Sequence, residues 1–344
     1  MERVAFGRTG LTVSRIAFGG IPIMRVAHSD AVRIIRTIIG LGINFLDTAR
    51  RYDDSEDKIG DAISEFRREE LILSSKSPAR EKKTFLEELD TSLRKLNVEY
   101  IDIYHLHNVS RKQEMDQVLD SGGAMEGLQQ AIREGKVRIP AFSSHSLDIA
   151  EKMMNTDLFD VAQVPFNFVD DQAAEKIIPL AEKMNIGFIS MKPLGGGMLE
   201  DAGLCFRYLK HYPSIIPDPG VESVEEMQEI IQIMENPGPL TEQDRVQIEN
   251  IKEELGDKWC HRCEYCQPCP QGINIAMVLN LRSALKRLPY HRVANPLRKT
   301  VEQAKECIEC RECVERCPYG LDIPELIKEN IRLYEDYTGE RSKR

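Results

Sequence analysis

Four polar residues, each at or just past the end of a short β-rich run, together have the makings of a proton-transfer unit. Asp47 lies in "NFLDTA" (44–49) and Tyr52 follows five residues later; Lys76 ends "LILSSK" (71–76) and His107 ends "IDIYHLH" (101–107). A tyrosine with an ordinary pKa near ~10 is too weak an acid to give up its proton alone at neutral pH. A nearby ammonium favours the phenolate, so Lys76, itself held by Asp47, would make Tyr52 a usable general acid. His107 would orient a carbonyl or help relay the proton. A second kind of chemistry is written in the thiols. The chain has 9 cysteines, and all but Cys205 fall in its last quarter. Cys205 sits in a helical pattern, "DAGLCFRYLKHY", and reads as a small buried hydrophobe.

For the four polar residues to meet, their runs must lie side by side. Eight β-rich runs alternate with amphipathic helical stretches: 13–20, 44–49, 71–76, 101–107, 138–144, 161–167, 187–192 and 214–220. That alternation predicts an α/β fold, a (β/α)8 TIM barrel, in which polar residues at the carboxyl ends of the strands converge on one face. An open doubly wound sheet is the alternative, but no G-x-G-x-x-G turn follows the first run. The opening "AFGRTGLTVS" fits a hairpin ahead of the barrel. The pattern stops at the breaker "NPGPL" (236–240), after which Thr241 and Asp244 are spaced as a capping box for a helix over "TEQDRVQIENIKEEL". The expected organisation is therefore a barrel over 1–235, a linker and helix over 236–258, a cysteine-rich domain over 259–330 and a charged, solvated tail over 331–344.

Composition narrows the partners. A formal charge of −10 argues against nucleic acid, which wants a basic surface. No basic start followed by an apolar stretch predicts a signal peptide, and no run approaches the ~18 apolar residues of a membrane span. A cytoplasmic location is expected, and in a reducing compartment clustered cysteines read as metal ligands rather than disulfides.

The stretch 1–235 resembles the aldo-keto reductase superfamily, through "GRTGLTVS", "FLDTARRYDDSE", "LILSSK", "YIDIYHLH", "GKVRIPAFSSHS", "QVPFN" and "PLGGG". The resemblance implies a (β/α)8 barrel using a nicotinamide cofactor, NADH or NADPH, with Asp47, Tyr52, Lys76 and His107 as the tetrad and Tyr52 as general acid. It also implies that Ser143, Ser144 and Gln163 hold the nicotinamide carboxamide. Phe166 stands where the family often stacks a tyrosine on that ring, and the loop Pro193, Leu194, Gly195, Gly196 is placed for the pyrophosphate. The sequence departs from the family at several points. Gly220 and Glu226 align with basic residues that clasp the 2′-phosphate of NADP, which favours NADH. Asp53 replaces a common glycine after the tyrosine, and Lys192 replaces a small polar residue.

The thiol spacing carries its own expectation. Cys307-x2-Cys310-x2-Cys313-x3-Cys317-Pro318 has the bacterial ferredoxin spacing for [4Fe–4S] ligation, and Cys260-x2-Cys263-x2-Cys266-x2-Cys269-Pro270 is one residue shorter before its last cysteine. By that pattern Cys260, Cys263, Cys266 and Cys317 hold one cluster and Cys307, Cys310, Cys313 and Cys269 the other. Structural zinc is the alternative, but it usually pairs two C-x2-C knuckles across a longer loop. The intervening "INIAMVLNLRSALKRL" reads as helix, so a small, mainly helical ferredoxin-like domain is expected, a layout shared with iron–sulfur-bearing members of the superfamily. Six Lys or Arg and no acid between Arg282 and Lys299 suit an acidic electron-carrier protein. The leading functional expectation is NAD(P)H-dependent reduction of a small carbonyl, or the reverse alcohol oxidation, with clusters that relay electrons or brace the fold. A ferredoxin-linked oxidoreductase that uses the clusters, with or without a flavin, and a non-enzymatic redox-sensing or interaction protein are the alternatives; no sequence feature declares a flavin site.

Overall fold

The computed structural model describes residues 1–236, 238–256 and 258–341. The chain divides into two compact units, Met1–Gly195 with Leu199–Pro239, and Gly196–Met198 with Leu240–Arg344.

The first unit opens with an antiparallel hairpin, β1 (Arg3–Ala5) and β2 (Thr12–Ser14). Eight parallel strands follow: β3 (Phe18–Gly19), β4 (Phe45–Asp47), β5 (Ile72–Ser77), β6 (Ile101–Leu106), β7 (Val137–Ser143), β8 (Val161–Pro165), β9 (Gly187–Met191) and β10 (Ile215–Asp218). Each pairs with its neighbour in sequence order, and a parallel bridge between Gly19 and Gly220 closes the sheet into a (β/α)8 barrel. The run 13–20, expected as one strand, is divided. Thr12–Ser14 pairs with β1, the Ser14 hydroxyl turns the chain by donating to the Ile16 carbonyl at 2.7 Å, and only Phe18–Gly19 joins the barrel.

Successive strand residues face opposite sides of a sheet, and the barrel interior follows that period. Phe45, Ile72, Ile103, Ala141, Val161, Ile189 and Ile216, one from each of β4 to β10, pack with Phe6 and Val13 of the hairpin segment into one apolar cluster. The Phe6 ring meets Phe45 edge-on, with centroids 5.7 Å apart. Gly187 makes room for it: a Cβ there would lie 2.7 Å from the ring. Two residues further along, the same strands carry Asp47, Ser74, His105, Ser143, Gln163, Met191 and Asp218. The interior thus changes from apolar to polar toward the carboxyl ends of the strands.

The second unit is helical. Its main helices are Glu242–Gly256, Ile275–Leu279, Leu281–Arg287, Arg298–Lys305 and Ile323–Arg341. Thr241 and Asp244 form the reciprocal cap, with Thr241 N–H donating to Asp244 Oδ2 at 2.8 Å and Asp244 N–H to Thr241 Oγ1 at 3.1 Å. Of the breaker 236–240, Pro237 lies outside the described residues. The stretch read as a tail continues the last helix as far as Arg341; residues 342–344 lie outside the described residues. The core of this unit gathers Ile273, Val278, Leu281, Val293, Val301, Leu321, Ile323 and Ile327.

The iron–sulfur expectation is corrected here. Among the described residues no group of three or more His, Cys, Asp or Glu side chains is gathered that could hold a metal ion. Six of the eight clustered cysteines take part in apolar packing: Cys266 is part of the core, and Cys260, Cys269, Cys307, Cys313 and Cys317 pack against it, while Cys310 is exposed. Burial pushes the Cys266 thiol up to about 12 and raises Cys260, Cys263 and Cys313 as well. A (β/α)8 barrel with a helical extension stands; a ferredoxin-like iron–sulfur fold, two [4Fe–4S] clusters and an electron relay or brace built on them do not. The acidic carrier loses its electron port, and Lys286 and Arg287 of the basic stretch are hydrogen-bonded to the carbonyls of Gly197 (3.1 Å) and Ser283 (3.3 Å). Cys205 is buried, and its thiol is likewise raised to about 12 by burial.

Candidate active site

The polar set inside the barrel is joined by hydrogen bonds. The Ser74 hydroxyl donates to Asp47 Oδ1 at 2.7 Å and lies 3.0 Å from His105 Nε2. Ser74 has one proton and Asp47 takes it, so His105 is the Nε2–H tautomer donating to Ser74. Gln163 Nε2 donates to Asp47 Oδ2 at 3.3 Å and to Asp218 Oδ2 at 3.1 Å. Strands β4, β5, β6, β8 and β10 are tied together by this one network.

The Lys76 ammonium, 1% exposed, ion-pairs with the Asp47 carboxylate and donates to the Thr48 carbonyl at 2.8 Å. It also lies 5.6 Å from the centre of the Tyr52 ring. Burial acts to raise the Asp47 carboxyl, but the Lys76 ammonium, His105 and the Ser74 hydroxyl together hold it below its ordinary range. Tyr52 is carried on the turn after β4, its N–H donating to the Ala49 carbonyl at 2.9 Å. Asp53 next to it has φ 41°, the left-handed region, which accounts for glycine being common there and for an aspartate being tolerated. The Tyr52 and His107 rings are 6.1 Å apart, edge to face. Burial, then the Lys76 and Arg51 charges, hold His107 well below its usual pKa; burial and Lys76 bring His105 down to about 3. Both imidazoles are neutral at pH 7.

The residues assigned to a coenzyme by resemblance are placed unevenly. Gln163 Oε1 is buried and has no hydrogen-bond partner. The Ser143 hydroxyl accepts from Asn108 N–H at 2.8 Å. Ser144 is committed to its own loop, donating to the Ser146 carbonyl at 3.0 Å and accepting from Ser146 N–H at 3.1 Å. Phe166 is fully buried, with Tyr212 at 4.8 Å and Tyr208 at 6.0 Å between ring centroids. After β9 the chain turns through Lys192 (φ 58°), and Gly195 and Gly196 are also left-handed. Lys192 in that region is unusual for a residue with a Cβ; Gly195 N–H donates to its carbonyl at 2.8 Å and Asn167 Nδ2 at 3.1 Å. Ser74, His105 and Asp218 were not singled out from sequence. The signal available was the two-residue period: each lies inside a run already assigned as a strand, on the face that also carries a tetrad residue or Gln163.

An aldo/keto reductase family profile matches residues 15–204, more than half of the chain. The chain belongs to the aldo/keto reductase family. It is an oxidoreductase of that type. Among curated relatives, L-galactose dehydrogenase of Arabidopsis thaliana is 30% identical over 222 residues, covering 59% of this chain and 68% of that protein. The NADH-specific methylglyoxal reductase of Escherichia coli is 26% identical over 229 residues, covering 58% and 69%. Among solved structures, the holo form of aldo-keto reductase AKR11C1 from Bacillus halodurans superposes with a TM-score of 0.63 at 22% identity, covering 73% of this chain and 96% of that one. An aldo-keto reductase from Klebsiella pneumoniae in complex with NADPH gives 0.62 at 20% identity, covering 73% and 95%. These structures share the barrel. A profile for a 4Fe–4S dicluster domain matches residues 259–322, but among the described residues no group of side chains is gathered that could hold a metal ion. No helix among the described residues is long and apolar enough to cross a membrane.

Proposed function

We propose that the protein is a nicotinamide-dependent carbonyl reductase, or in reverse an alcohol dehydrogenase, acting on a small carbonyl or sugar-like substrate with Tyr52 as general acid. The observation that carries this reading is the buried Lys76 ammonium, held between the Asp47 carboxylate and the Tyr52 ring. The relatives named L-galactose dehydrogenase and NADH-specific methylglyoxal reductase support the substrate class.

The barrel residues fit a nicotinamide coenzyme. Gln163 has both amide protons drawn toward carboxyl oxygens, so its buried, unpartnered Oε1 is an acceptor suited to a carboxamide N–H. The resemblance assigns the loop Pro193, Leu194, Gly195 and Gly196 to the pyrophosphate; the Gly195 N–H is already donated to the Lys192 carbonyl at 2.8 Å. When bound, the coenzyme supplies or accepts the hydride. The chain's own residues manage the proton. Lys76 lowers the cost of charge on the Tyr52 oxygen, Asp47 holds Lys76 in place through their ion pair, and neutral His107 can donate a hydrogen bond to a carbonyl without competing for the proton. Near the start of the helix Val224–Glu235, Glu226 favours NADH over NADPH, because a 2′-phosphate there would face a carboxylate.

The test is NADH oxidation, followed by absorbance, with methylglyoxal and aldose substrates. Tyr52→Phe is expected to lower kcat about 10²–10⁴-fold, the usual contribution of a positioned acid, while leaving coenzyme affinity within about twofold. Unchanged turnover in Tyr52→Phe would remove the assignment.

A further inference from the structure

Asp218 ends β10 inside the barrel and has no part in the proton chemistry above. Gln163 Nε2 lies between the two carboxyl groups, 3.1 Å from Asp218 Oδ2 and 3.3 Å from Asp47 Oδ2. Two carboxylates held so near one another oppose each other's ionisation. Asp47 has an ammonium and a hydroxyl proton directed at it, which favour the charged form there rather than at Asp218. Burial and the Asp47 charge both raise the Asp218 carboxyl well above its ordinary range, in agreement with the geometry. Space for the side chain is provided by Gly19, where a Cβ would lie 2.9 Å from Asp218 Oδ1.

The consequence falls on Gln163. Its Nε2 donates to Asp218 Oδ2 at 3.1 Å and to Asp47 Oδ2 at 3.3 Å. Turning the amide over would set Oε1 against both carboxyl groups, so the pair fixes one orientation and leaves Oε1 as the unpartnered acceptor. Asp47 alone is a poor anchor for this purpose, since its oxygens already serve Ser74 and Lys76 and its contact to Gln163 is the longer one. We propose that Asp218 is a positioning residue: accepting from Nε2 alongside Asp47, it clamps the Gln163 amide so that Oε1 accepts from the carboxamide of the nicotinamide coenzyme. This rests on the coenzyme reading given above.

Binding of two probes separates the outcomes. NADH carries the carboxamide, whereas ADP-ribose has the same pyrophosphate and ribose without the nicotinamide. Asp218→Leu, of similar volume but without an acceptor, is expected to weaken NADH about tenfold, the equivalent of one hydrogen bond, and to leave ADP-ribose unchanged. Asp218→Asn mimics the neutral acid, its carbonyl accepting from Gln163 and its amide donating to Asp47, and is expected to bind both probes as the parent does. Asp218→Ala gives the same reading if the leucine variant does not fold. An unchanged NADH to ADP-ribose ratio in the leucine or alanine variant, an equal loss of both probes, or an asparagine variant that behaves like leucine would each overturn the clamp. A folded parent protein that binds neither NADH nor NADPH would instead remove the coenzyme reading, and the clamp with it.

Discussion

His105 makes the barrel sensitive to acid in a way that can be worked out from its surroundings. It is fully buried in β6, beside the Lys76 ammonium, and its pKa falls from the ordinary value near ~6.5 to about 3. The unfolded chain therefore binds a proton at this site over a range of pH in which the folded chain does not. Stability is fully present above pH ~6.5 and is lost as pH falls from there toward about 3. At pH ~4.5 the site has moved about two units below its unfolded value, which at ~1.4 kcal/mol per unit costs about 2.5 kcal/mol relative to neutral pH. His105→Gln can keep a hydrogen bond to Ser74 but has no proton to bind, so that acid-dependent loss should disappear. The assay is hydrogen exchange of the peptide spanning 101–106 across a urea titration, in parent and variant, at pH 7 and 4.5. This reads the barrel alone, whatever the helical unit does. Other buried groups titrate in both proteins, so the difference between them isolates His105. Parent and variant losing the same stability between the two pH values would refute the reasoning.

Two further outcomes follow from packing and charge. Gly187→Ala should destabilise the barrel by about 1–3 kcal/mol, since the new methyl would lie 2.7 Å from the Phe6 ring, and Phe6→Leu should recover part of the loss; thermal denaturation of the single and double variants measures both. Glu226→Gln keeps an acceptor for the N–H groups of Glu222 and Ser223, now at 2.7 and 3.3 Å, but removes the charge. The ratio of kcat/KM for NADPH over NADH should rise about three- to fivefold, the scale of one exposed charge interaction; an unchanged ratio would sever Glu226 from coenzyme choice.

How much of this was legible in sequence depends on whether a feature is local. The alternation of β-rich runs and amphipathic stretches marked out the barrel, because strand and helix periodicities are local properties of the chain. The division of 13–20 was not visible: whether Thr12–Ser14 joins the barrel or the hairpin depends on a partner, Arg3–Ala5, that offers the same backbone groups. Asp47, Tyr52, Lys76 and His107 stand out in sequence as polar residues that interrupt, end or follow apolar runs. Their electrostatics do not, since the lowered Asp47 and the neutral His105 and His107 arise from residues on other strands. The cysteine spacing misled for a related reason. Spacing specifies which thiols a site would use, but whether they are ligands depends on their being gathered as thiolates. Here no such group is gathered among the described residues, and six of the eight thiols pack in or against an apolar core.

The polar set shows why the missed residues matter as much as those found. The buried Lys76 ammonium ion-pairs with the Asp47 carboxylate. A buried carboxylate needs further partners of its own, which Ser74, His105 and Gln163 supply. Burial and the Asp47 charge raise the Asp218 carboxyl, and Asp218 shares the Gln163 amide with Asp47. The same alternation that buries Phe45, Ile72, Ile103, Val161 and Ile216 brings Asp47, Ser74, His105, Gln163 and Asp218 inside two residues later, so the barrel's period builds the site and its support together.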